Sequence, residues 1–384
     1  MRIAIDAHAI GRHLTGNEVY VRSLLNAFAA HARDCEILAY VSGAKACAFV
    51  SERIHTRRVA ANPFLRLGFD LASRVRQDRP DLLHVQYTAP VACSVPVVAT
   101  VHDVSYLEHP EYHTRDRAWQ LKLTVGRTVR RAARILTGTE VARNSILKVY
   151  PGLDEGKVVV VPLAAAPEFR PISRDAAVAT VRERYAIGGP FLLSVGDIQP
   201  RKNHIGLIRA FARMVRAYPQ LKQKLVMVGK STWFSDKVRD AARASGVDER
   251  IQFLGFVPDA DLLQLYNACD CFVFPSFYEG FGLPALEAMA CGRAVVCSDA
   301  SALPEVVDGA AILFDPYAID EMVRAIADVL LDAELRGRME RLGIQRAAHF
   351  TWQKTAQRTL EAFHLVMAQP RAAVRQAVAT VVRP

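Results

Sequence analysis

The chain has 384 residues, which at roughly 150 residues per domain predicts two domains, each large enough to bury its own core. Hydrophobic residues make up 51% and charged residues 23%, a balance that excludes a disordered or fibrous protein. Lysine and arginine number 49 against 39 aspartates and glutamates, a net charge of +10. An anionic partner is therefore expected, whether a nucleotide phosphate, a nucleic acid or a lipid surface.

The cysteine count and the hydropathy pattern exclude further classes. Seven cysteines is an odd number, and Cys269 and Cys271 stand inside an apolar run, so free thiols in a reducing, cytoplasmic compartment are predicted. No run approaches 18 uncharged apolar residues, and the first ten residues predict a strand rather than a signal peptide. Secreted, membrane-spanning and disulfide-scaffold proteins are therefore not expected.

Short apolar runs alternate with helical patterns in the first half of the chain, which is typical of parallel βαβ units. The runs predicted as strands are Ile3–Ile5, Ile37–Val41, Leu82–Val85, Val95–Val101, Ile135–Leu136 and Val158–Val161. A helix is predicted from Glu18 to His31, directly after Gly16 and Asn17. Prolines and glycines then loosen the pattern between 162 and 187, which we interpret as a linker.

The alternating pattern restarts in the second half of the chain. The runs predicted as strands there are Phe191–Val195, Lys224–Val228, Ile251–Phe253, Cys271–Phe274, Ala294–Cys297 and Ile312–Phe314. We predict an α/β protein with two doubly wound, Rossmann-like domains, 1–170 and 171–352, which face each other across a cleft. Residues 353–384 are predicted as a crossover helix, which packs back on the first domain, and a basic tail. Such sheets bind ligands at the carboxyl ends of their strands.

The segment after the predicted strand Cys271–Phe274 carries the clearest chemical signal. Glu279, Gly280, Phe281 and Gly282 form a tight loop before a helix that has Pro284 as its predicted first residue. Amides of such a loop and helix start bind anions, and a diphosphate fits. Glu287 follows Glu279 by eight residues, a helical span of roughly 12 Å, whereas the paired carboxyls of glycosidases lie about 5 to 9.5 Å apart. We interpret the pair as two grips on one extended ligand; the alternative is a helix-start glutamate plus a surface glutamate.

Two further strand ends carry polar motifs. Gly196, Arg201 and Lys202 lie between a predicted strand and a helix predicted from Ile205 to Tyr218, where the cations would neutralise phosphate; the alternative is a solvated charged turn. His102 and Asp103 follow the most apolar strand, and the alternative for this histidine is a satisfied core residue. The amides at Gly16 and Asn17 offer another backbone site for anions.

Arriving in this order, these motifs resemble glycosyltransferase family 4, and the overall spacing resembles the bacterial mannosyltransferases of surface polysaccharide synthesis. The resemblance covers nearly the whole chain and is densest from Phe191 to Trp352. It implies the GT-B fold, retention of anomeric configuration, an N-terminal domain that binds the acceptor and a C-terminal domain that binds the nucleotide sugar.

The resemblance also implies a role for each matching residue. Glu287 would hold the ribose, Glu279 the hydroxyls of the donor sugar, and Val257, beside Phe256 and Pro258, the base. The diphosphate and sugar would be bound by Gly196, Arg201, Lys202, Gly280, Phe281, Gly282 and Leu283 in one domain and by Gly16 and Asn17 in the other. His102 would lie beside the reacting carbon and the acceptor. The implied catalytic residues are His102, Asp103, Arg201, Lys202 and Glu279.

The implied reaction is hexosyl transfer from a nucleotide sugar, with GDP-mannose expected as donor and a sugar or polyprenyl-linked oligosaccharide as acceptor in polysaccharide synthesis. A UDP-hexose-dependent transferase and a non-catalytic sugar-nucleotide-binding protein are the alternatives. No Asp-x-Asp or histidine cluster with metal-ligand spacing is present, so a metal-independent enzyme without a cofactor is expected. A dehydrogenase is not expected, since no G-x-G-x-x-G motif follows the first strand.

A basic segment between Thr114 and Leu136 suggests a partner. Arg127, Arg130, Arg131 and Arg134 are spaced as one helical stripe, which predicts contact with an anionic membrane surface; the alternative is a solvated arginine-rich face. Nucleic acid is not expected as a partner, because no zinc, helix-turn-helix or ribonucleoprotein motif is marked. We therefore expect a cytoplasmic protein, peripheral at the membrane.

Overall fold

A computed structural model describes residues 1–12 and 15–368. The chain divides into two compact units. Residues 1–163 and the segment that begins at Thr351 form the first, and residues 164–350 form the second. This division falls a few residues before the predicted boundary between 170 and 171.

The first unit is built on a seven-stranded parallel sheet. Its strands are β1 (Arg2–Asp6), β2 (Glu36–Val41), β3 (His55–Arg58), β4 (Leu82–Gln86), β5 (Val97–Thr100), β6 (Arg134–Thr137) and β7 (Val158–Val160), in the order β3-β2-β1-β4-β5-β6-β7. Its helices up to residue 163 are α1 (Thr15–His31), α2 (Pro63–Leu65), α3 (Leu71–Asp78), α4 (Ser105–Glu108), α5 (Arg115–Arg131) and α6 (Glu140–Val149). A π-helical segment, Arg66–Asp70, joins α2 to α3.

The second unit is built on a six-stranded parallel sheet. Its strands are β8 (Phe191–Val195), β9 (Lys224–Val228), β10 (Ile251–Gly255), β11 (Cys271–Phe274), β12 (Val295–Ser298) and β13 (Ile312–Phe314), in the order β10-β9-β8-β11-β12-β13. Its helices are α7 (Arg174–Tyr185), α8 (His204–Ala217), α9 (Ser235–Ala244), α10 (Asp259–Ala268), α11 (Leu283–Ala290), α12 (Leu303–Val307), α13 (Ile319–Leu331) and α14 (Ala333–Ala348).

Helix α7 corrects the prediction of a linker over 162–187. Ser173 caps this helix, since its side chain accepts the Ala176 N–H, and the helix ends at Ala186 in the left-handed region. The Tyr185 hydroxyl donates to Asp261 Oδ2 at 2.7 Å and fastens α7 to α10. Proline density therefore marks only the stretch before Ser173.

The last described helix, α15 (Trp352–Met367), belongs to the first unit. Its Phe363 ring lies 6.3 Å from that of Phe28 and 5.5 Å from that of His84. The Thr355 hydroxyl donates to the Pro162 carbonyl at 2.7 Å. The basic tail predicted after this helix lies outside the described residues.

Two further findings concern compartment and membrane. All seven cysteines carry free thiols. Within the described ranges, no helix combines the length and the apolar character that crossing a bilayer requires.

Candidate functional site

Two cations and one carboxylate meet at the carboxyl edge of the second unit's sheet. Lys202 Nζ donates to Glu279 Oε1 at 2.6 Å, and Arg201 Nη1 donates to Glu279 Oε2 at 2.9 Å. We call Arg201, Lys202 and Glu279 the cation–carboxylate triad; its formal net charge is +1. Arg201 Nη1 also donates to the Tyr278 carbonyl at 3.1 Å, which ties the turn after β8 to the loop after β11.

Burial and charge act in opposite directions on the triad. Burial would raise the pKa of Glu279, but Arg201 and Lys202 outweigh it and hold that pKa at about 2. Burial lowers the pKa of Lys202, and Glu279 partly restores it. Lys202 is only 8% exposed and its Nζ lies 4.6 Å from the centre of the Phe274 ring. A solvated charged turn, the alternative weighed from the sequence, is therefore wrong.

The loop after β11 is held in a conformation that only glycine adopts easily. Gly282 has φ +100°, and a Cβ there would lie 2.5 Å from Leu303 Cδ2. The Ser301 hydroxyl donates to the Glu279 carbonyl at 2.7 Å and fixes the loop from outside. Helix α11 begins at Leu283, one residue earlier than predicted, so Pro284 is its second residue rather than its first. The predicted site residues of this loop and of the first turn of α11 follow Glu279 of the triad directly in the sequence: Gly280, Phe281, Gly282 and Leu283.

Glu287 lies inside α11 and is buried like Glu279. The Tyr266 hydroxyl donates to Glu287 Oε2 at 2.9 Å, and burial, with Glu287 adding to it, raises the pKa of Tyr266 well above its usual range. A surface glutamate at 287 is therefore wrong. Glu279 and Glu287 are thus two buried carboxylates with different protein partners, and their contact with sugar and ribose stays a prediction.

A small pocket beside the triad was missed by the sequence analysis. Its floor lies at the carboxyl ends of β8, β9 and β10, where each strand is followed or ended by a glycine: Gly196, Gly229 and Gly255. A Cβ on Gly229 would lie 1.9 Å from the Gly196 carbonyl oxygen, so the backbones touch directly. The signal available in the sequence was this glycine after consecutive apolar runs.

His204 lines the same pocket and opens helix α8. Burial, with Lys202 adding to it, lowers the pKa of His204 to about 3, so the ring is neutral. Its Nδ1 has no hydrogen-bond partner. In the loop predicted to contact the nucleotide base, Val257 is buried and Phe256 is half exposed. Lys230 Nζ lies 5.8 Å from the centre of the Phe256 ring.

In the first unit, His102 follows β5 and joins a hydrogen-bonded chain. Gln86 Nε2 donates to the Asn17 carbonyl at 3.0 Å, so its Oε1 faces His102 Nε2, also at 3.0 Å. Because that oxygen only accepts, His102 carries its proton on Nε2 and leaves Nδ1 as an acceptor. Burial lowers the pKa of His102 to about 4, against the opposite effect of Asp103, so the ring is neutral near pH 7.

The other predicted residues of the first unit lie close by. Asp103 Oδ1 accepts from the Ser105 N–H at 2.9 Å and the Ser105 hydroxyl at 2.7 Å, which orders the start of α4. Gly16 and Asn17 lie within the first turn of α1, which begins at Thr15 rather than at Glu18. A Cβ on Gly16 would meet nothing within 4 Å. The catalytic roles predicted for His102 and Asp103 stay predictions.

The predicted arginine stripe is wrong at its last member, since Arg127, Arg130 and Arg131 lie on α5 but Arg134 does not; the membrane contact stays a prediction. Helix α5 ends at Arg131, and Arg134 lies on strand β6, where its guanidinium donates to the Gly156 carbonyl. Arg127 donates to the Val91 carbonyl, and the Arg130 guanidinium lies 5.8 Å from the centre of the Tyr150 ring. The strand interrupts the helical spacing, and these guanidinium groups bind the protein's own carbonyls and ring.

Among residues 1–12 and 15–368, no three histidine, cysteine, aspartate or glutamate side chains are grouped so that they could hold a metal ion.

Both halves of the chain match families of known proteins. Residues 14–169 match the family described as Glycosyltransferase Family 4, and residues 180–346 match Glycosyl transferases group 1. The chain is 33% identical over 269 residues to the O-antigen chain mannosyltransferase B of Escherichia coli, covering 70% of each protein. It is 31% identical over 239 residues to the serotype-specific mannosyltransferase WbdA of E. coli, covering 61% of this chain but only 29% of that protein.

Among solved structures, Anabaena HepE in complex with UDP and glucose matches with a TM-score of 0.73 at 20% identity, covering 94% of this chain and 99% of HepE. At that identity the likeness concerns the fold, and each unit is the doubly wound parallel α/β domain that was predicted. The family matches to both units and the E. coli relative together show that the chain belongs to glycosyltransferase family 4.

Proposed function

We propose that this glycosyltransferase moves mannose from GDP-mannose to a glycan or polyprenyl-linked acceptor in polysaccharide synthesis, with retention of anomeric configuration. The observation that carries the proposal is the cation–carboxylate triad at the carboxyl edge of the second sheet. Lys202 is buried and Arg201 partly buried, Glu279 fixes both in place, and the triad carries a net positive charge, which suits a diphosphate leaving group. The mannose assignment is supported by the printed names of the two E. coli relatives.

The proposed step breaks the bond between the anomeric carbon and a phosphate oxygen of the donor. A bond forms from the acceptor hydroxyl oxygen to the same face of that carbon, and the hydroxyl proton passes to the departing phosphate oxygen. Positive charge develops on the sugar and negative charge on the diphosphate. Arg201 and Lys202 stabilise the diphosphate, and the amides at the start of α11 add to this field. Seven cysteines, an odd number, suit the cytoplasm, where we place the reaction.

The donor is tested first by binding, since a bound ligand raises stability by RT ln(1 + [L]/Kd). Melting temperatures are measured with GDP, UDP and ADP at equal concentrations. GDP is expected to give the largest rise, because it is part of the proposed donor. A GDP concentration of about 100 times Kd would stabilise the folded protein by about 2.7 kcal/mol. A rise with UDP and none with GDP would replace this donor with a UDP-hexose.

The reaction is tested by incubating the protein with GDP-mannose and mannosyl or polyprenyl-linked acceptors. GDP release that depends on acceptor, with an α-linked product by NMR, is expected. Binding of GDP without transfer to any acceptor would leave a sugar-nucleotide-binding protein, and a β-linked product would contradict retention. Lys202→Met is the matched inactive control, and Lys224→Met, at the amino end of β9, removes the same charge away from the site.

A further inference from the structure

Six large apolar side chains on three hydrogen-bonded segments of the first unit are exposed to solvent. Phe64, Leu65, Phe69, Val91, Trp119 and Leu123 are between 51% and 78% exposed. Single exposed apolar residues are ordinary, whereas a contiguous group marks a surface that binds something. We call these six residues the apolar strip.

Hydrogen bonds connect the three segments that carry the strip. The Val91 N–H donates to the Leu67 carbonyl at 2.8 Å, which places Val91 beside the segment that holds Phe64 and Phe69. The Val91 carbonyl in turn accepts from Arg127 on α5, and the Ala89 N–H donates to Thr128 Oγ1 at 2.9 Å.

On α5, Trp119 and Leu123 precede Arg127 by eight and four residues, so all three share one face of the helix. The strip therefore continues from α2 across residue 91 and along α5.

The surroundings of the strip are basic. Helix α5 carries six arginines or lysines and a single acid, Asp116. Arg115, Arg117 and Lys122 are exposed beside Trp119 and Leu123. At the other end, the Arg12 guanidinium donates to the Ala61 carbonyl at 3.0 Å, just before α2.

Protruding aromatic and aliphatic side chains flanked by lysine and arginine match the chemistry of a bilayer surface that contains anionic lipid. We infer that the apolar strip and the exposed bases Arg115, Arg117 and Lys122 of α5 dock the protein on an anionic membrane surface, with the aromatic side chains of the strip inserted among the lipid head groups. This deepens the proposed function, since a polyprenyl-linked acceptor resides in such a membrane.

The test is flotation of the whole protein with vesicles of phosphatidylethanolamine containing one quarter phosphatidylglycerol, and with vesicles of phosphatidylcholine alone. Neither donor nor acceptor is present, so the result is independent of the proposed reaction. Wild type is expected to bind the anionic vesicles at least about tenfold better than the neutral ones. A triple variant, Phe64→Ser with Phe69→Ser and Trp119→Ser, is expected to lose at least about tenfold in binding.

Matched controls separate the strip from general surface effects. Leu331→Ser and Leu365→Ser remove apolar side chains that are 50% and 52% exposed elsewhere, and are expected to bind as wild type does. Charge reversal of Arg115, Arg117 and Lys122 to glutamate is expected to abolish the preference for anionic vesicles. Reversal of Arg182, Arg209 and Arg324, which are also exposed, is expected to leave it unchanged.

Tryptophan fluorescence gives a readout that does not depend on the triple variant. Anionic vesicles are expected to shift the emission to the blue; Trp119→Phe removes the shift and Trp233→Phe keeps it. GDP affinity and transfer to a soluble acceptor are expected to stay within twofold of wild type in all strip variants. Equal flotation of wild type and the triple variant would overturn the inference. The inference would also be overturned if wild type did not bind vesicles and the triple variant changed from a dimer to a monomer. The strip would then be the contact with a second copy of the chain.

Discussion

The cation–carboxylate triad makes a prediction in which two substitutions act in opposite directions. Lys202→Met removes one cation and reduces the formal charge of the triad from +1 to 0, with little change in side-chain volume. Glu279→Gln removes the carboxylate, raises the charge to +2 and keeps a hydrogen-bond acceptor of the same shape. If the triad binds the diphosphate by charge, GDP affinity falls in the first variant and rises in the second.

The magnitudes follow from the geometry. A charge-assisted hydrogen bond is worth about 1.5 to 3 kcal/mol, so loss of the buried Lys202 ammonium is expected to weaken GDP binding by roughly 10- to 150-fold. In the proposed complex, the Glu279 carboxylate lies behind the two cations, one side chain further from the phosphates. At about 8 Å and an effective dielectric constant of about 20, its removal relieves roughly 2 kcal/mol of repulsion before screening by salt. Glu279→Gln is therefore expected to bind GDP about tenfold more tightly.

Titration calorimetry with GDP at two salt concentrations measures both effects, and Lys224→Met serves as the charge-matched control. GDP lacks the donor sugar, so contacts of Glu279 with sugar hydroxyls do not enter the result. Glu279→Gln leaves the buried Lys202 and the partly buried Arg201 without a carboxylate, which costs up to about 3 to 5 kcal/mol of stability, so its melting temperature is recorded in parallel. If a folded Glu279→Gln protein bound GDP as weakly as Lys202→Met, the triad would hold the loop in shape rather than bind by charge.

Three further predictions concern single side chains. Gly229→Ala is expected to cost about 2 kcal/mol or more of stability and to abolish the GDP-induced thermal shift, because a Cβ would lie 1.9 Å from the Gly196 oxygen. The control is Gly188→Ala, which should have neither effect, since a Cβ there meets nothing within 4 Å. Burial lowers the pKa of His204 from its ordinary value of about 6.5 to about 3, so the free energy of unfolding falls as the pH drops below about 6.5, by up to about 1.4 kcal/mol per pH unit. Urea unfolding of His204→Asn should therefore show a flatter pH dependence than wild type from about pH 6.5 to about pH 4.5. Gln86→Leu should lower transfer activity about tenfold, equal to roughly 1.4 kcal/mol of activation barrier. Nitrogen NMR should show that His102 no longer holds its proton on Nε2, and an unchanged tautomer would refute the role assigned to Gln86.

The fold was predictable where strands are buried on both faces. Such strands appear in the sequence as continuous apolar runs, and Phe191–Val195, Lys224–Val228 and Cys271–Phe274 were predicted with the bounds that the structure gives. Strand β3, His-Thr-Arg-Arg, was missed because it lies at the sheet edge and pairs only with β2. Its largely exposed side chains leave no apolar signal.

The sequence marked the residues of the cation–carboxylate triad but not their pairing, and their roles stay predictions. Glycine loops and adjacent cations at strand ends marked Gly196, Lys202 and Glu279 locally. The ion pair between Lys202 and Glu279 joins residues 77 positions apart, and no local pattern reports such a contact. The chain from His102 through Gln86 to Asn17 likewise joins three separate elements, and its only local trace is a glutamine that ends the apolar strand β4.

In the proposed anion site, the carboxylate has a physical purpose that the sequence hides. Two adjacent cations removed from much of the solvent repel each other and, without a counterion, would each favour a neutral or displaced state. Glu279 holds both at hydrogen-bonding distance before any ligand arrives, so little reorganisation is needed when negative charge grows on a leaving diphosphate. The residual charge of +1 makes binding of a ground-state diphosphate weaker than two bare cations would. Ground-state affinity is thereby reduced in favour of a fixed geometry that acts most strongly as the bond to the sugar breaks.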